Sequence, residues 1–144
     1  MKRLAINALM IGIVAVALVG AACNRGAGAS PTATFTAYYE ASKNKDVEGV
    51  KKTFSKTTLE LFERQAKEQN KTVDEMFKTG MERKPLTGNM PELRNEKING
   101  NDATLEVKDE QSGRWDTLTF VKEDGQWKIA LDKMGTQSPG ASAN

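Results

Sequence analysis

One thiol and no imidazole set the chemical limits of this sequence. Cys23 is the only cysteine and there is no histidine. An intramolecular disulfide, a His/Cys zinc site and a Ser–His or Cys–His nucleophilic pair are therefore excluded. A hard cation would need a carboxylate loop of the D-x-D-x-D-G kind, and none occurs. What remains is thiol chemistry at Cys23, carboxylate chemistry at Asp116 and Asp132, phenol chemistry at Tyr38 and Tyr39, and the ring faces of Trp115 and Trp127. This set implies no cofactor and no metal.

Each candidate has a plainer competitor. A carboxylate working as a general base near neutral pH must be desolvated, which Asp116 or Asp132 would achieve only by pointing into a cavity. Asp46 is fully explained as a helix cap. Tyr38 and Tyr39 are adjacent, so one is expected to pack inward with Phe35 and the other to face solvent or a sheet edge; either could still offer a hydroxyl to a pocket. Trp127 alternates with Ile129 and is expected in the core. Trp115 shares its face with polar residues, which makes it the candidate contact for a partner or ligand. Met76, Met81 and Met90, near Phe77, suit adaptable packing.

The setting of Cys23 is more specific. Met1-Lys2-Arg3 is a short positive start, Ala8 to Val19 is an uncharged apolar run, and Gly20, Ala21 and Ala22 lead into the cysteine. This is the three-part layout of a secretory signal, shorter than the roughly 20 apolar residues of a comfortable membrane span. The small residues before a lone cysteine resemble the lipobox of bacterial lipoproteins, with Gly20 where that pattern usually has Leu. The resemblance implies diacylglycerol on the Cys23 thiol and cleavage between Ala22 and Cys23. Two or more acyl chains hold a protein stably on a bilayer. The expected divisions are a signal peptide over 1–22, a flexible tether over 23–29, a folded domain over 30–133 and a disordered polar tail over 134–144. The expected location is the bacterial cell envelope, membrane-anchored and facing the periplasm or exterior. Ala27-Gly28-Ala29 offers a competing A-x-A site; a cut after Ala29 would release a soluble secreted form.

The folded part divides by period. Ser30-Pro31 opens a helix carrying Phe35, Tyr38, Tyr39 and Ser42 on one face. Asp46 caps a second helix with Val47, Val50 and Phe54. Thr57 and Glu60 have capping-box spacing for a restart, with Leu59, Phe62 and Ala66 continuing the stripe. Thr72 and Glu75 form another capping box, and Gly80 and Pro85 close the helical half. From Pro91 the period is two: strands over Leu93–Ile98, Ala103–Lys108, Arg114–Lys122 and a last one carrying Trp127, Ile129 and Leu131. Asn99-Gly100-Asn101, Gln111-Ser112-Gly113 and Asp124-Gly125 supply the turns. The fold class is α+β, N-terminal helices packed on a bent antiparallel meander of about four strands.

Tyr38-Tyr39 on the first helix, the Asn44-Lys45-Asp46-Val47 turn and the closing Val121-Lys122-Glu123-Asp124-Gly125-Gln126-Trp127-Lys128-Ile129 hairpin resemble an NTF2-like domain. The similarity is nearest to the DUF4878-type lipoproteins of that superfamily. It implies a sheet wrapped into a cone with a mouth, able to hold an apolar small molecule or meet an envelope protein. Enzymes of the superfamily use a pocket carboxylate, and an isomerase or hydratase is the alternative function; their catalytic motifs have no residue-by-residue counterpart here. Of the 21 basic and 19 acidic side chains, Lys2 and Arg3 fall in the leader, leaving a balanced body without the basic stripe that nucleic acid requires.

Overall fold

The computed structural model describes residues 26–134. Cys23, the cleavage point after Ala22, the 1–22 leader and most of the 134–144 tail lie outside the described residues. Among the described residues four helices come first: α1 (Pro31–Lys43), α2 (Val47–Thr53), α3 (Lys56–Glu68) and α4 (Val73–Arg83). Four strands follow: β1 (Leu93–Asn99), β2 (Asp102–Lys108), β3 (Trp115–Glu123) and β4 (Gln126–Ile129), then a single 3₁₀ turn, Leu131–Lys133. The fold is α+β and NTF2-like, with the sheet an antiparallel meander in chain order.

The helix starts follow from local hydrogen-bond chemistry. Ser30 Oγ accepts from the Ala33 N–H, and Pro31 stands where no N–H is needed. Asp46 Oδ1 accepts from Gly49 N–H at 2.9 Å. At α4 both halves of the capping box form, Thr72 N–H to Glu75 Oε2 at 2.8 Å and Glu75 N–H to Thr72 Oγ1 at 3.2 Å. The Thr57–Glu60 expectation is corrected. Ser55 caps α3, accepting from Thr58 N–H at 3.1 Å. The sheet decides this, because Ser55 N–H donates to Ile129 O at 2.9 Å and so anchors the chain at that residue. Gly80 does not end α4, which runs on to Arg83.

The registers bring the apolar side chains of β2, β3 and β4 to one face. Ala103 stands opposite Phe120, Leu105 opposite Leu118, and Phe120 opposite Ile129. Phe35 and Tyr39 of α1, Val50 of α2 and Phe54 close over them to form the core. Thr34 Oγ1 seals the helix to the sheet through Trp127 O at 3.0 Å. The pairing of β1 with β2 shifts between Arg94 and Lys97, with Asn95 at φ 52°. Such a bulge bends and twists its strand. Asp124 (φ 50°) and Gly125 (φ 77°) form the tight β3–β4 turn. β4 stops at Ile129 rather than continuing to Leu131, because Leu131 N–H donates to Thr58 Oγ1 at 3.0 Å and leaves the ladder.

The expectation of a tether through residue 29 also changes. Ala29 N–H closes a turn on Gly26 O at 3.0 Å, and Trp127 N–H donates to Gly28 O at 2.8 Å. Gly28 is thus docked against β4, and its φ of +90° is one that L side chains rarely adopt. A Cβ there would stand 2.9 Å from Gln126 Cβ. Gly28→Ala is therefore expected to destabilise the domain by about 1–3 kcal/mol, read as a lower urea midpoint with unchanged slope.

Candidate functional site

Phe35 and Tyr38 of α1, Phe54 after α2, Leu118 of β3, Ile129 at the end of β4 and Leu131 in the turn beyond it line a partly open cavity of about 300 Å³. Val107 and Lys108 of β2, Asp109 and Asp116 complete its lining. The floor is built by ring packing. Tyr38 lies 6.0 Å from Phe35 and meets Phe54 edge-on at 5.7 Å. Phe54 in turn packs edge-on to Phe62 at 5.4 Å and stacks on Phe77 at 5.8 Å. Phe54 is no longer helical; as the residue after α2 it has extended backbone (φ −90°, ψ 153°), which turns its ring toward the sheet.

Two of the lining residues are acidic. Asp109 Oδ1 accepts from the N–H groups of Gln111 at 2.9 Å and Ser112 at 2.7 Å. Chiefly the Ser112 backbone and hydroxyl, with help from Gln111 and the Lys84 charge, hold Asp109 below the usual carboxylate range. Lys108 is paired with Glu92. Asp116 follows Leu118 and Phe120 on the inner parity of β3, is exposed, and among the described residues makes no ion pair or hydrogen bond.

The candidates from the sequence separate cleanly. Tyr38 reaches the cavity, half-buried, and among the described residues its hydroxyl has no hydrogen-bond partner. Tyr39 does not line it. Its ring is buried in the core, and its hydroxyl donates to the carbonyl oxygens of Asn89 at 2.8 Å and Gly88 at 3.1 Å, fastening the loop after α4. Trp115 is on the outer parity of β3, away from the cavity. The Arg94 guanidinium lies 3.8 Å from its ring centroid, and Arg94 Nε also donates to Glu106 at 2.6 Å. Trp115 is therefore a half-buried platform for Arg94, not an open contact residue. Asp132 accepts from Thr58 Oγ1 at 2.9 Å and lies outside the cavity. Phe54, Val107, Asp109 and Leu131 were not named as site residues from the sequence. Only Asp109 carried a signal, an acid placed before a Gln111-Ser112-Gly113 turn that needs its first N–H groups accepted.

Among the described residues, no three His, Cys, Asp or Glu side chains converge to hold a metal. Asp116 lines the cavity but is itself exposed.

A family model described as "Putative lumazine-binding" matches residues 29–134. No curated protein and no solved structure in the comparison matches the chain.

Proposed function

The chain belongs to the family described as "Putative lumazine-binding", and on that premise we propose that the cavity beneath α1 receives a small, flat, ring-bearing ligand. The observation that carries the reading is an apolar floor of aromatic and aliphatic side chains beside a carboxylate, Asp116, with no partner of its own. The volume, about 300 Å³, sits at the small end of the roughly 300–1,000 Å³ typical of ligand pockets. A lumazine-type bicycle offers an apolar ring face to Tyr38 and Phe54 and N–H donors to Asp116. Hydrogen bonds to a charged acceptor contribute about 1.5–3 kcal/mol each.

The test is calorimetric titration of the purified protein with lumazine. Leu118→Trp, which fills the cavity from β3, is expected to abolish the binding heat. Asp116→Asn is expected to weaken binding about tenfold. An isotherm unchanged by both substitutions would place the ligand elsewhere.

We further infer that this domain works at the bacterial cell envelope, held by acyl chains on Cys23, as in the DUF4878-type lipoproteins the sequence resembles. Support comes from the leader layout around the lone cysteine. The docking of Gly28 adds a consequence. Cys23 and Gly28 are five residues apart, a reach of about 17 Å at full extension. The anchor would therefore keep the β4 edge of the domain close to the bilayer.

A further inference from the structure

A second, partly open cavity of about 460 Å³ lies among the helices, beside α4. Val50, Phe62, Met76, Phe77, Met81 and Leu86 supply its apolar walls. Tyr38 borders both this cavity and the first. α4 lies over it loosely: none of its residues is fully buried. Its first turn is tied down by Lys51, which bridges Glu48 at 2.8 Å and Asp74 at 2.9 Å.

Two residues on the wall stand out, Gly80 and Lys84. Gly80 sits in the interior of α4, where glycine costs about 0.5–1 kcal/mol relative to alanine. It has no positive φ, and no atom lies within 4 Å of where its Cβ would stand. Neither backbone geometry nor packing calls for glycine; its place is an opening on the cavity wall. Four residues on, Lys84 caps the C-terminus of α4, its N–H donating to Gly80 O at 3.1 Å, and among the described residues it is the only charged side chain lining the cavity. Among the described residues Lys84 makes no ion pair. Its charge acts on Asp109 of the neighbouring loop without an ion pair, and that carboxylate accepts from the Gln111 and Ser112 N–H groups.

We propose that this second cavity binds a fatty acid, its alkyl chain among Phe62, Met76, Phe77 and Met81 and its carboxylate at Lys84. Methionine walls adapt to a flexible chain better than branched side chains do. A single positive charge at the rim favours a carboxylate head and disfavours a cationic one. The omitted side chain at Gly80 leaves the entrance clear. This site is independent of the ring-binding reading of the first cavity.

The test is photo-crosslinking of the full-length protein in lipid nanodiscs with a diazirine analogue of decanoate, mapped by peptide mass spectrometry. Labelling is expected on peptides carrying Met76–Leu86. Excess decanoate should compete it away, and decyltrimethylammonium should not. Lys84→Ser is expected to raise the decanoate needed for competition about tenfold. Gly80→Leu is expected to abolish labelling while thermal melting stays unchanged or rises, since leucine favours the helix by up to about 1 kcal/mol over glycine. Met81→Trp, filling the same space from the next position, should give the same loss. Leu118→Trp, in the first cavity, should leave labelling unchanged. Labelling confined to other peptides, equal competition by the cationic amphiphile, or undiminished labelling in both cavity-filling variants would overturn the proposal.

Discussion

Phe120→Ala is expected to remove about 3–5 kcal/mol of folding free energy. Phe120 is fully buried, at 0% exposure. It stands at the centre of the inner sheet face, opposite Ala103 on β2 and Ile129 on β4. The small Ala103 side chain cannot move in to fill the space, and Ile129 is held by the Ser55 N–H bond to its carbonyl. A cavity left by the missing ring would therefore persist rather than collapse. Domains of this size have only about 5–15 kcal/mol in total, so the variant would be left marginal. Equilibrium urea unfolding gives the measurement. Phe120→Leu, which keeps most of the volume, should lose far less. A loss of less than about 1 kcal/mol for Phe120→Ala would mean that the sheet does not close over the helices as described.

Cys23→Ser is expected to move the protein almost entirely from the membrane pellet to the supernatant after cell fractionation. The reason is the steepness of hydrocarbon transfer: each buried CH₂ contributes about 0.8 kcal/mol, so two acyl chains hold a protein firmly and none holds it hardly at all. Serine preserves the size of the side chain but cannot form the thioether, so the comparison isolates the attachment. The mature mass gives a second reading. Acyl addition on a chain starting at Cys23 supports the anchor; an unmodified chain starting at Ser30 would support cleavage after Ala29 and a secreted domain. Sedimentation of the serine variant with membranes as before would refute the anchor. Ligand binding in either cavity is a separate matter, since both lie within residues 26–134.

Short-range chemistry made much of the fold readable in advance. Ser30, Asp46 and the Thr72–Glu75 pair act through hydrogen bonds three residues long, so their roles need nothing beyond the neighbouring chain. The same holds for Asp124-Gly125, and for the alternation that puts Leu118 and Phe120 on one side of β3 and Trp115 on the other. Where a long-range bond competes, local spacing misleads. Ser55 displaced Thr57 as a cap because Ile129 holds its N–H, and Leu131 left β4 because Thr58 takes its N–H.

The candidate site divides along the same line. Sequence alone determined which chemistries were available: one thiol, no imidazole, a few carboxylates and phenols, and two faces to every strand. It could not decide between Tyr38 and Tyr39, which differ by one step around a helix, until Asn89 claimed one hydroxyl and Phe54 met the other ring. Nor could it tell that Arg94 would cover Trp115 while Asp116 lined the cavity without a partner. Residue type fixes what a group can do in water. Whether it is desolvated, paired or left waiting depends on segments tens of residues away, and only their packing decides that.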